Sequence, residues 1–210
     1  MKRIFVCFIV LAAVCTGTMA QSQGSISVGG EFYLWFQNPK TVSNSQTTDG
    51  TKTTSFTLLP SAEYFVAEDV SLGLGIGYDM TRYKNPNGNI ERDGKFYVMP
   101  YARKYFKMGD KLDIFGEANL SLGLGNDVFE TKVGNSTITT KYASTSFSIG
   151  ISPGLSYHLS DKVALESTFG FFGYSGSSTE TGSNSKNKTN NFGLQLNSST
   201  ITFGVRFFLR

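Results

Sequence analysis

The sequence predicts an all-β chain closed into an eight-stranded antiparallel up-and-down barrel. Three observations carry that expectation: apolar residues alternate with small or charged ones, such stretches number eight, and the connections between them alternate between short and long. Successive side chains of a strand point to opposite faces, so this alternation marks a sheet whose two faces meet different environments. No stretch repeats apolar residues at i, i+3, i+4 and i+7. Beyond residue 20, no apolar run approaches the roughly 18 residues of a membrane helix.

The alternation is clearest where "SLGLG" occurs twice, at Ser71 to Gly75 and Ser121 to Gly125. Val70, Leu72, Leu74, Ile76, Tyr78 and Met80 share one parity; Ser71, Gly73, Gly75, Gly77, Asp79 and Thr81 share the other. Around the second copy, Leu112, Ile114, Ala118, Leu120, Leu122 and Leu124 oppose Asp113, Glu117, Asn119, Ser121, Gly123 and Gly125. A phosphate-binding reading needs G-x-G-x-x-G, or G-x-x-x-x-G-K-[ST], leading into a helix. Neither spacing occurs, so the repeat is a strand signature.

The expected strands are 25–37, 53–66, 70–83, 95–106, 111–125, 142–159, 162–175 and 191–209. "FTLLPSAEYF", "FYVMPYARKYF" and "IGISPGLSYHL" place Pro60, Pro100 and Pro153 at equivalent points. Proline cannot donate to a ladder, so these suggest a recurrent bulge or bend. Long polar connections are expected at 38–52, 84–94, 126–141 and 176–190, and short ones at 67–69, 107–110 and 160–161. Short turns at one end and long loops at the other, with an even strand count, are features of transmembrane barrels.

Residues 1–20 read as a secretory signal peptide: basic "MKR", apolar "IFVCFIVLAAVC", then "TGTMA" with cleavage after Ala20. Cys15 as a lipid-attachment site is the alternative, disfavoured by Val14 before it. Cleavage would remove both cysteines, and with Lys2 and Arg3 the formal charge would fall from +3 to +1. The expected mature domain, 21–210, therefore has no thiol chemistry. It lacks the basic footprint of a nucleic-acid binder, and a single histidine offers no metal spacing.

The charged residues Glu31, Glu63, Asp79, Arg103, Asp113, Glu117, Glu166 and Arg206 share the glycine face. The opposite face offers Phe32, Leu34, Phe56, Leu58, Leu74, Ile76, Phe96, Val98, Leu120, Leu122, Phe169, Phe171, Phe203 and Val205. Small and charged residues can fill the narrow interior of an eight-stranded barrel, which puts the apolar face toward lipid. Trp35, Phe36, Tyr83, Tyr105, Phe106, Tyr157 and Tyr174 are candidates for interfacial girdles. Gly123, facing inward, is expected to tolerate serine if there is space. A soluble lipocalin-like binding barrel, with its apolar face inward, is the competing architecture.

With these residues assembled, the mature chain resembles the small outer-membrane β-barrels of Gram-negative bacteria, the OmpA/OmpX-like family, with a further likeness to Bacteroidetes-type barrels in the proline–aromatic strands. The sharpest piece is "TFGVRFFL": Thr202, Gly204, Phe207 and Leu209 match the family's assembly signal in order, whereas Arg210 departs from the usual aromatic end. The resemblance implies an integral outer-membrane protein with extracellular loops, inserted by the barrel-assembly machinery and surrounded by outer-membrane lipid and lipopolysaccharide. A monomer without cofactor or nucleic-acid partner is expected.

Some barrels of this kind modify lipid A with a histidine, a serine and an acid near the outer leaflet. Here the one histidine, His158, lies beside the short turn before Asp161, at the periplasmic end on the loop argument. The lumen charges could form an ion-paired core or line a gated narrow pore; paired carboxylates could also serve acid–base chemistry. The favoured function is non-enzymatic: a structural, surface-interaction or weak-permeability role. A lipid A-modifying enzyme is the runner-up.

Overall fold

The computed structural model describes residues 21–43, 46–134, 136–182, 185–196 and 200–209. The expected signal segment, with Cys15 and the cleavage position, lies outside them. The strands in chain order are β1 (Ile26–Gln37), β2 (Lys40–Ser43), β3 (Gln46–Asp49), β4 (Lys52–Ala67), β5 (Val70–Lys84) and β6 (Ile90–Lys107). They continue as β7 (Leu112–Val133), β8 (Ser136–Ser160), β9 (Val163–Thr168), β10 (Phe171–Gly182), β11 (Ser185–Gln195) and β12 (Thr202–Leu209).

Antiparallel pairing runs β1–β4–β5–β6–β7–β8, then from β8 to both β9 and β10, from β9 to β12, and from β12 back to β1. The ladder therefore closes on itself. β9 with β10 forms one wall strand and β11 with β12 another, which makes eight around the ring. β2 and β3 form a separate exposed hairpin. Closure removes the free edges that would otherwise seek partners. Two stretches escape it among the described residues: above the Phe32–Phe203 pair β1 has only β4 beside it, and β11 has only β10.

Most of the expected long loops are strands. The β7–β8 ladder runs without a register break from Leu112–Tyr157 to Val133–Ser136, and β10–β11 pair up to Gly182–Ser185. Composition misled because Ser, Thr and Asn suit loops, yet every backbone N–H and C=O still gains from pairing. The end asymmetry survives as overhanging hairpins. Opposite them, the turns are tight, such as the one at Asp69, whose positive φ of 58° an aspartate tolerates.

The prolines also differ from expectation. Pairing skips Pro60 on the β5 side and Pro100 on the β7 side, but the register before and after is unchanged, so neither marks a bulge. Both point outward, where the missing donor costs one ladder bond. Only Pro153 accompanies an irregularity: its carbonyl accepts from Phe169 N–H at 3.0 Å, where β8 changes partner from β9 to β10. Gly170, at φ +78°, absorbs the extra residue there. One inserted residue reverses the faces downstream, so Phe171 turns into the lumen beside Gly150 rather than outward.

The remaining face assignments follow from two-residue alternation. Leu72, Ile76, Phe96, Leu122, Leu124, Ile149 and Phe203 lie on the outer surface, Leu124 68% exposed. Such a belt suits hydrocarbon and contradicts a water-facing exterior. Phe36, Phe106, Tyr157 and Tyr174 stand on the outer face, as girdle residues require. Tyr105 does not: it is buried inside. Trp35 and Tyr83 share the lumen parity near the upper rim.

Glycine on the inner face makes room for rings. A Cβ on Gly73 would overlap the Tyr101 ring, and one on Gly123 would overlap the Tyr97 ring and the Ser146 hydroxyl. The two "SLGLG" copies thus seat tyrosines from β6 over the glycines directly opposite them on the neighbouring strands β5 and β7. The expected tolerance of Gly123 for serine fails for want of space.

Candidate functional site

The lumen is filled in layers. At the short-turn end, Phe65, Tyr105, Phe115, Phe208 and Ala164 form a buried cluster. The Tyr105 and Phe115 rings lie 5.5 Å apart and Phe65 and Tyr105 5.9 Å, within the range of favourable aromatic pairs. Beneath them, His158 stacks on Phe208, and its Nε2 lies 2.8 Å from Asp113 Oδ2. Gln21, the residue after the expected cleavage point, donates from Nε2 to the same oxygen at 2.8 Å.

Above the aromatic layer lies an ion network. Arg103 donates from Nε to Glu117 at 2.7 Å, from Nη1 to Glu166 at 2.8 Å and from Nη2 to Glu31 at 2.8 Å. Arg206 donates from Nε to Glu166 at 2.8 Å, and its Nη1 lies 3.4 Å from Glu63. Hydroxyls supply further donors: Ser27 and Ser71 donate to Glu63 at 2.7 and 2.9 Å, Tyr105 to Glu63 at 3.1 Å, and Thr168 to Glu31 at 3.3 Å, while Glu166 Oε1 is buried without a partner among the described residues. The Arg103 guanidinium also covers the Phe115 ring at 4.5 Å, a cation–π contact tying the two layers together.

Six of the eight charged residues singled out from the sequence therefore meet in one network: Glu31, Glu63, Arg103, Glu117, Glu166 and Arg206. Asp113 belongs to the lower His158 contact, and Asp79 stands higher, accepting from Thr57 at 3.0 Å. Ser27 and Thr168 were not singled out from the sequence, and Ser71 was placed on the inward face without a role, although inward parity beside acids was a usable signal. The upper charges Asp93, Lys95 and Asp127 were missed because they fall in or beside segments read as loops.

That upper group floors an open vestibule of about 340 Å³, lined by Asp93, Lys95, Tyr97, Asn191 and the serines 121, 146, 148, 175 and 177. Asp93 and Asp127 are direct cross-strand partners. Lys95 binds Asp93 and lies 3.8 Å from Asp127, which relieves their repulsion. Both acids sit above the outer apolar belt. Burial raises the Asp93 carboxyl from its ordinary value, with Lys95 opposing; burial also raises Glu91, helped by the nearby charges of Asp127 and Asp93. Among the described residues, no group of three His, Cys, Asp or Glu could hold a metal ion.

The C-terminal residues close the wall. Thr202 and Gly204 face the lumen, Thr202 donating to Glu31, while Phe207 and Leu209 point outward, each 48% exposed. β12 hydrogen-bonds to both β1 and β9, so this segment is the last stave of the barrel.

Residues 6–207 match the family described as outer membrane protein beta-barrel domain. Among solved structures, a major outer membrane protein from Thermus thermophilus is similar, at 10% identity and a TM-score of 0.53 over 89% of this chain and 99% of that one. OprG from Pseudomonas aeruginosa is 12% identical with a TM-score of 0.47, covering 90% of this chain and 98% of its own. Neisserial surface protein A is 20% identical with a TM-score of 0.39, covering 87% and 94% respectively. At 10% identity the likeness to the Thermus thermophilus protein shows the fold alone. No curated protein sequence matches the chain.

Proposed function

Because the chain belongs to the outer membrane protein β-barrel family and resides in the bacterial outer membrane, we propose that it is a non-conducting, non-enzymatic wall protein whose overhanging hairpins meet the cell exterior. One observation carries this reading: the lumen is blocked twice, by the aromatic cluster around Tyr105 and by the ion network around Arg103. A buried ion network is weak evidence of stability by itself, but together with the aromatic cluster it places large buried side chains at two successive levels of the lumen, which supports a closed interior. The hairpins β7–β8 and β10–β11 carry polar surface well past the apolar belt, where loop-borne recognition takes place. His158 and Asp113 lie at the opposite, short-turn end, which argues against action on an outer-leaflet lipid.

Planar-bilayer recording tests the proposal. Protein whose folding is verified by heat-dependent migration in gels should insert without stepwise conductance. Sustained, reproducible conductance steps from the folded wild type would overturn the plugged-wall reading and restore the narrow pore.

A further inference from the structure

Just above the apolar belt, on the outer face, four cations stand as two directly opposed pairs. Arg82 of β5 faces Arg92 of β6, and one rung higher Lys52 of β4 faces Lys84 of β5. All four share the outward parity of Phe56, Met80 and Phe96 below them. Cross-strand neighbours hold their Cβ atoms about 4.5–5.5 Å apart, and like charges there are destabilising. Glu130 answers Arg92. Among the described residues, Lys52, Arg82 and Lys84 have no ion-pair partner. Lys141 extends the same rung beyond Val128. On the opposite wall, by contrast, Lys186 is paired with Glu180 at 2.9 Å.

Glu130 offsets only the Arg92 side of one opposition, so an anion seated beside Lys52, Arg82 and Lys84 would relieve the repulsion that remains. The patch faces away from the lumen, so its ligand approaches from the membrane side. Directly beneath it the surface is apolar, with Leu58 49%, Ile76 58% and Phe96 67% exposed. A ligand fitting both halves has phosphate at the top and acyl chains below. We infer that Lys52, Arg82, Lys84 and Arg92 form a seat for the phosphorylated headgroup of an outer-leaflet glycolipid, whose acyl chains run down along Phe96, Ile76 and Leu58. The inference rests on the outward orientation of the hairpins, but not on whether the lumen conducts.

Native mass spectrometry of the delipidated, folded protein tests it, with bisphosphorylated lipid A and fully dephosphorylated lipid A as probes. The wild type should prefer the phosphorylated lipid. Arg82→Gln with Lys84→Gln should weaken that binding by roughly thirty-fold, the scale for two cations at an anionic lipid surface. Lys186→Gln with Lys188→Gln should leave it unchanged. In lipid-free detergent, Arg82→Gln should melt no lower than the wild type, because it relieves repulsion; with lipid A bound, the order should reverse. If the double variant does not fold, Lys84→Gln alone carries the test with a smaller expected loss. Undiminished preference in the Arg82/Lys84 variant would overturn the assignment. So would a lower lipid-free melting point for Arg82→Gln, or displacement of lipid A by equimolar inorganic phosphate. None of these results would alter the conductance test.

Discussion

Replacing Arg103 by methionine should damage the barrel far more than replacing Glu117 by glutamine, although the two side chains are bonded to each other. Arg103 is 2% exposed and holds Glu31, Glu117 and Glu166 at 2.7–2.8 Å. The network contains four carboxylates and two guanidinium groups. Losing Arg103 leaves Glu31 and Glu117 without a cation and Glu166 with Arg206 alone. Removing one partner from a buried ion pair costs about 3–5 kcal/mol, and the loss of the contact with Phe115 adds to it. Glu117→Gln acts in the other direction, by lowering the excess of negative charge. The amide can still accept from Arg103 Nε, but its NH2 then faces Asn119 Nδ2, a donor now 2.9 Å from Glu117 Oε1. Loss of that one bond costs about 1 kcal/mol. Urea unfolding in lipid vesicles, followed by gel migration, would separate the two. With a slope near the upper end of about 1–3 kcal/mol per molar, the Arg103→Met midpoint should fall by about 1–2 M, and Glu117→Gln by a few tenths. The double variant should lie above the sum of the single losses. Equal midpoints for the two single variants would refute the charge accounting, and with it the view that the network is a mutually satisfied core.

Two further outcomes follow from the faces and the seam. Leu122→Arg should lower barrel stability by about 2–4 kcal/mol, the cost of a cation against mid-bilayer lipid; Gly123→Ser should also fail, for lack of space beside Tyr97, and adding Tyr97→Ala should rescue Gly123→Ser but not Leu122→Arg in a folding gel assay. Truncation after Arg206 should yield a chain that never becomes a protease-resistant outer-membrane barrel, because β12 loses Phe207 and Leu209 from the pairing that joins it to β1 and β9; recovery of a resistant barrel from this variant would count against the assembly role of those residues.

Period-two alternation was enough to read the class of fold, the eight wall strands and the inner and outer faces of most of them. It depends only on local geometry: a strand cannot hide which side chains share a face. The same parity placed Arg103, Arg206 and four glutamates inside together. Parity is carried along an unbroken strand and is lost at an insertion, so Phe171 was misplaced one residue beyond the Gly170 irregularity. Composition likewise could not reveal that 126–141 is ladder, because pairing energy belongs to two strands at once and neither segment shows it alone. Register decided the rest. Only the closed sheet sets Arg103 against Glu31, 72 residues away, lays Tyr101 across Gly73, and opposes Arg82 to Arg92 on the outer wall. Each of these depends on which residues stand opposite across neighbouring strands or across the lumen, a relation absent from the linear order and settled when the barrel closes.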